Sequence, residues 1–309
     1  MLRQMILYLL VLISFVNLTW STQPKLHVMI NGLPGPMAMA TAQVVLDRGH
    51  TLIPLGLTGN SGMESIVVKS KEKESLVELV LGPDFSGSDA SSRIHELKRK
   101  YPNMVVVDYT HPSATLGNLK CYVENECDFV MGTTGGDMNL LHDEFNKGKS
   151  NIAVIAPNMA KQIVAVQAAI LEMSKRFPSC FDNYKLTVTE SHQSTKADTS
   201  GTAKAIVSHL ATLNGKDFNI ENIQKIRNKN EQLEFGVPAE YLDGHAYHTY
   251  KLVSGDNTVS FELQHNVCGR RVYAEGTIDA VEFIDNIRGK KATKRLYNMI
   301  DVLEQGSMK

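Results

Sequence analysis

Leu26 to Leu57 reads LHVMINGLPGPMAMATAQVVLDRGHTLIPLGL, and the order of its parts decides the fold. Leu26 to Ile30 is a short apolar run with β-branched members, the composition of a buried strand. It ends in Asn31-Gly32-Leu33-Pro34-Gly35, a turn signal. Met37 to Leu46 is rich in Ala, Met and Val and suits a helix. Thr51 to Leu57 reads as a second strand. Strand, glycine turn, helix and strand together make a βαβ unit.

The alternation continues outward from this unit. Leu76 to Leu81 is apolar, Ala90 to Lys100 reads as a helix, and Met104 to Tyr109 reads as a buried strand. Phe129-Val130-Met131 leads into Gly132-Thr133-Thr134-Gly135-Gly136, and Ile152 to Ile155 is another strand. Alternating strands and helices predict a Rossmann-like parallel sheet covered on both faces. Ligands of such sheets bind at the carboxyl ends of strands, which directs attention to the loops after Ile30, Tyr109, Met131 and Ile155. Beyond Met159 the pattern changes. Met159 to Arg176 and Ser200 to Leu213 read as helices. Tyr184 to Thr189, Ala246 to Val253 and Thr258 to His265 alternate as antiparallel strands do. Tyr273 to Ile287 leads into a final helical stretch, Lys291 to Leu303. The fold class expected is therefore α/β: a dinucleotide-binding domain over 25–157 and a second α+β substrate and oligomerisation domain over 158–276. The segment 277–309 is expected to return to the first domain.

Residues 1–24 form a leader, with one positive charge in MLRQ followed by the apolar run MILYLLVLISFVNLTW. This reads as a signal peptide, which points to the secretory pathway or the exterior; only an uncleaved leader would engage a membrane. The 309 residues carry a net charge of −1 and a pI near 6.8, which does not suit nucleic acid as a partner. The four cysteines, Cys121, Cys127, Cys180 and Cys268, lack zinc-type spacing, so no metal site is expected.

Two stretches carry chemistry. Gly32 and Gly35 lie where glycines let a backbone approach a pyrophosphate at a helix N-terminus. The second strand runs out through Gly56-Leu57-Thr58-Gly59-Asn60-Ser61 without the acidic residue that would hold an adenine ribose. The other stretch is Glu190-Ser191-His192-Gln193-Ser194-Thr195-Lys196-Ala197-Asp198-Thr199-Ser200-Gly201-Thr202-Ala203-Lys204, between a strand and a helix. His192 can exchange protons near neutral pH. Lys196 can supply a proton or hold an anion. Ser200-Gly201-Thr202 opens a helix and can hold a carboxylate. A capped helix start with surface His and Lys would have the same spacing.

This last stretch resembles the signature of dihydrodipicolinate reductases, especially their plant-type branch. Val107-Asp108-Tyr109-Thr110-His111-Pro112, Gly132-Thr133-Thr134-Gly135, Ala156-Pro157-Asn158-Met159-Ala160-Lys161-Gln162 and Phe261 through Thr277 are similar to further motifs of that branch. The resemblance implies reduction of 4-hydroxy-tetrahydrodipicolinate to tetrahydrodipicolinate with NADPH or NADH, in lysine biosynthesis by way of diaminopimelate. By motif it implies His192 and Lys196 as catalytic residues, with Gln193, Ser200, Gly201 and Thr202 holding a small acidic cyclic imine. It gives cofactor-binding roles to Gly32, Gly35, Met37, Thr110, Gly132, Thr133, Thr134 and Asn158. It also implies a homo-oligomer and, for the plant-type branch, a plastid address. The chain departs from the family's first loop, which reads G-x-x-G-x-M-G, at Pro36 and Ala38. With the leader, that departure leaves two alternatives: a diverged secretory enzyme acting on another cyclic imine, and a non-redox binding protein that retains the fold.

Overall fold

The computed structural model describes residues 25–59, 61–133, 137–290 and 294–305. The leader and Thr134 fall outside the described residues. β1 (His27–Asn31) is almost wholly buried. The glycine turn follows, then α1 (Pro36–Asp47), with Pro36 in its first turn, where a missing N–H costs nothing. Ala38, Ala42, Val44 and Val45 face the core. Gly49, at φ +78°, ends the helix: its N–H bonds to Leu46 and that of His50 to Val45, a Schellman closure.

The stretch expected as one strand, Thr51 to Leu57, is two. Pro54, which cannot donate to a ladder, separates β2 (Thr51–Leu52) from β3 (Leu55–Thr58). β2 pairs with β1, whereas β3 joins a second, small sheet with β4 (Ser65–Lys69) and β5 (Glu74–Leu81), in the order β3-β5-β4. The chain then alternates through α2 (Ala90–Lys100), β6 (Val105–Asp108), α3 (Thr115–Glu124), β7 (Asp128–Met131), α4 (Met138–Lys147) and β8 (Ala153–Ile155). α5 (Lys161–Arg176) leads to β9 (Lys185–His192), α6 (Gly201–Asn214), β10 (Gln224–Ile226), α7 (Lys229–Glu234), β11 (His245–Val253) and β12 (Ser260–Cys268). α8 (Arg271–Ile287), β13 (Leu296–Tyr297) and α9 (Met299–Glu304) complete the chain.

The largest sheet runs β13-β8-β7-β6-β1-β2, all parallel. Its strand order reverses between β1 and β6, and the crevice at such a reversal is where open α/β sheets bind ligands. A third sheet runs β10-β9-β11-β12, with β11 antiparallel to both neighbours. The segment Lys291 to Leu303, expected as helix, contributes β13 to the edge of the parallel sheet before a short helix.

α8 ties the two large sheets together. It starts beside β12, and Ala274, Ile278, Val281, Phe283 and Ile284 then enter the core of the parallel sheet. It runs unbroken through residues 276 and 277, where the sequence reading divides the chain. A Cβ on Gly276 would collide with the Met159 carbonyl, so glycine permits this approach. Arg48, after α1, reaches Glu275 and Asp279 at 2.7 Å each and Glu282 at 3.4 Å, clamping α1 to α8.

Candidate active site

One half of the site is made of backbone. Gly32 sits at φ +94°, and a Cβ there would collide with the Tyr109 carbonyl. A Cβ on Gly35 would lie 2.7 Å from the Gly32 carbonyl oxygen. The turn is fastened to β3: the Gly32 N–H donates to Leu57 O at 2.8 Å, and Thr58 Oγ1 donates to Leu33 O at 2.6 Å. No side chain caps the start of α1, so the Met37 and Ala38 amides are left for an anion, Pro36 having none to offer. The cradle fits a dinucleotide pyrophosphate. Ala38 is fully buried, so its methyl faces the core rather than the crevice.

A buried polar network holds the strand ends in register. Asn31 accepts from the Leu57 N–H at 2.8 Å and donates to the Tyr122 hydroxyl at 2.7 Å. Tyr122 donates to Asp108 Oδ2 at 2.5 Å, and Asn118 donates to the same oxygen at 3.0 Å. Asp108 Oδ1 accepts from the Thr110 N–H and hydroxyl. Burial, then the Asp108 charge, pushes the Tyr122 hydroxyl far above its ordinary range, so it remains a donor. Thr133 donates to Thr110 O at 2.9 Å, and a Cβ on Gly132 would strike the Tyr109 ring. Tyr109 in turn shares a 2.5 Å hydrogen bond with Thr277 of α8.

The other half is made of side chains. His192 ends β9, and register sets Glu190 of β9 opposite His248 of β11, which lies opposite His265 of β12. His192 Nε2 lies 3.2 Å from His248 Nε2, and His248 stacks on His265 at 4.6 Å. Glu190 is fully buried, held by Arg227 at 2.5 Å and by the Ser200 N–H at 3.0 Å. Arg227 also donates to Lys196 O, and Gln232 to His192 O, both at 2.7 Å. Glu190 and Arg227 therefore pin the end of β9, the Lys196 loop and the start of α6 in one place.

Burial pushes the His192 imidazole down to about 3, assisted by the charges of Arg227 and Lys196. Burial also lowers His265 to about 4 and His248 well below the ordinary histidine range. All three rings are neutral at physiological pH. Glu190, His192 and His248 are the one trio of potential metal ligands among the described residues, with ligand atoms within 4.8 Å of one another. Glu190 is already engaged there, and the adjacent guanidinium disfavours a further cation.

Met37, Tyr109, Gly132, Asn158, His192 and Gln193 line one cleft between the parallel sheet and the third sheet. A neighbouring recess, sharing Tyr109, is lined by Gly32 and Thr110. Lys196, Ser200, Gly201 and Thr202 do not line the cleft. Lys196 pairs with the exposed Asp198 at 2.7 Å. Ser200 caps α6 by accepting from the Ala203 N–H. Thr202 accepts from Asn158 Nδ2 at 2.9 Å, which connects the start of α6 to the cleft wall. Sequence reasoning passed over Arg270, which lines the cleft and pairs with no carboxylate among the described residues. It also passed over Arg227, His248 and His265. His248 and His265 share the alternating pattern of their strands, a signal that one sheet face carries them; nothing in the sequence singles out Arg227.

Family models for dihydrodipicolinate reductase match this chain at residues 26–159 for the N-terminus and 163–303 for the C-terminus. The chain is 44% identical over 285 residues to 4-hydroxy-tetrahydrodipicolinate reductase 1, chloroplastic, of Arabidopsis thaliana, covering 92% of this chain and 79% of the relative. It is 28% identical over 259 residues to 4-hydroxy-tetrahydrodipicolinate reductase of Alkaliphilus oremlandii, covering 81% and 99%. The solved structure of dipicolinate-bound dihydrodipicolinate reductase from Paenisporosarcina sp. TG-14 shares the fold, with a TM-score of 0.57 at 18% identity, over 89% of this chain and 97% of that one.

Proposed function

The chain belongs to the dihydrodipicolinate reductase family, and from that membership and the cleft we propose that it reduces 4-hydroxy-tetrahydrodipicolinate to tetrahydrodipicolinate. The reaction uses NADH or NADPH, releases water, and belongs to lysine biosynthesis by way of diaminopimelate. One observation carries this reading: a single cleft is lined by Met37 and Gly132 from the first half of the chain and by His192, Gln193 and Arg270 from the second.

The first half would hold the dinucleotide, with the pyrophosphate at Gly32, Gly35 and the start of α1, and the nicotinamide end near Gly132 and Thr133. When bound, the nicotinamide supplies the hydride. The second half would hold the acidic ring. Arg270 offers an uncommitted guanidinium to a substrate carboxylate, while the Ser200-Gly201-Thr202 helix start, its Ser200 N–H held by Glu190, supports the cleft wall through Asn158. His192, kept neutral, holds or passes a proton through its ring nitrogens. Lys196 is the cationic proton donor, released from Asp198 as an anionic substrate enters. Its pairing with so exposed a carboxylate is worth little and is readily exchanged.

The names of the plant relatives include "chloroplastic", which supports a plastid address for this chain. Among the described residues no helix is long and apolar enough to cross a membrane. A homo-oligomer is part of the same reading, supported by β12, an edge strand on which Phe261 is 50% exposed. The test is steady-state nucleotide oxidation by purified protein with freshly generated substrate. Turnover that a His192→Ala variant loses by about 100-fold or more supports the reading. No turnover above that variant contradicts it.

A further inference from the structure

The second strand carries no acidic residue for an adenine ribose, but the fold supplies one from another part of the chain. β3 and β5 pair in parallel, with Thr58 opposite Leu81, so the loops after both strands emerge side by side. The loop after β5 carries Asp84 and Phe85. Both line the recess that Gly32, Thr58 and Gly59 also line, on the nucleotide side of Tyr109. A Cβ on Gly59 would lie 3.9 Å from the tip of the Phe85 ring, which places that ring beside the loop after β3.

Asp84 is exposed, with its carboxylate lying against α3. A Cβ on Gly117 would collide with both of its carboxylate oxygens, so the group rests on the first turn of α3, where a helix favours negative charge. Among the described residues, neither Lys nor Arg lines this recess. His111, at its rim, commits Nδ1 to Ser113. The recess is thus lined by one carboxylate and one aromatic ring, and by neither Lys nor Arg among the described residues.

Resting on the reading above, we propose that Asp84 makes this enzyme select NADH over NADPH. Its carboxylate accepts from a hydroxyl of the adenosine ribose and repels the 2′-phosphate that replaces that hydroxyl in NADPH. Such a phosphate carries more than one negative charge at neutral pH and finds no cation here to receive it. Phe85 provides a surface on which an adenine stacks.

The experiment is a titration of the purified full-length chain with NADH and with NADPH, read by nucleotide fluorescence, for wild type, Asp84→Asn and Gly117→Ala. NADH is expected to bind about tenfold tighter than NADPH, a difference of about 1.4 kcal/mol. Asp84→Asn, nearly isosteric, narrows the ratio to about threefold or less, chiefly by tightening NADPH. Gly117→Ala, which displaces the carboxylate without removing charge, moves the ratio in the same direction. Equal or tighter NADPH binding by wild type overturns the inference while leaving the reductase reading intact, as does an unchanged ratio in Asp84→Asn. Failure of both nucleotides to bind overturns the inference and the reductase reading together.

Discussion

The two halves of the cleft are built from different materials. The nucleotide half is a matter of backbone: a glycine at positive φ, an open helix start, and strand ends fixed by hydrogen bonds around one buried aspartate. The substrate half is a matter of side chains: a buried Glu190–Arg227 pair and three histidines stripped of their charge. A backbone site tolerates change in side-chain identity so long as space is left for close approach. This is why Pro36 and Ala38, which depart from the family's loop, fit α1 without disturbing the crevice. A side-chain site tolerates little, because each buried polar group depends on its partner.

The largest effect should come from the charged half. Arg227→Met leaves Glu190 buried without its partner and should destabilise the fold by about 3–5 kcal/mol in urea denaturation. A change under about 1 kcal/mol would mean that the pair does not organise this half. Next, Gly32→Ala places a Cβ against the Tyr109 carbonyl at a backbone angle unfavourable to alanine. Nucleotide affinity should fall about tenfold or more, or about 1.4 kcal/mol, while the substrate half keeps its fold. Unaltered affinity would remove the backbone argument.

The histidines predict the next effect. Their folded pKa values lie below the ordinary value near 6.5, so between about pH 6.5 and the folded values the unfolded chain binds more protons. Their contribution to stability is full above about pH 6.5 and is lost as pH falls toward about 4 for His265 and about 3 for His192. Unfolding free energy should drop by at least about 1 kcal/mol between about pH 6.5 and 5, and less steeply in His248→Asn. A pH-independent stability over that range would mean that these rings bind protons in the fold as they do in the unfolded chain. The smallest effect should be Ala38→Gly: about 0.5–1 kcal/mol of stability, and less than about a threefold change in nucleotide affinity. A large gain in affinity would show that the methyl obstructs the crevice after all.

The same contrast governs what the sequence makes legible. The glycine turn, α1 and the strands of the parallel sheet are local patterns, and a reader of Leu26 to Ile155 finds nearly all of them. Local reading fails in two places: Pro54 splits a strand between two sheets, and β13 is too short to show against its helical surroundings. His192 and Gln193 are visible because their neighbours form a motif. Arg227, His248, His265 and Arg270 are not, because their approach to His192 depends on the registers of β9, β10, β11 and β12, which are long-range facts. Asp84 is invisible for the same reason: only the pairing of β5 with β3 carries it to the nucleotide.

These unlike halves act on one hydride. The most direct measurement supplies NADH deuterated at the reactive nicotinamide carbon, together with freshly generated 4-hydroxy-tetrahydrodipicolinate, and weighs the product by mass spectrometry. Tetrahydrodipicolinate carrying one deuterium for each nucleotide oxidised is the result predicted. Saturable nucleotide binding with no deuterium in the product would contradict the account.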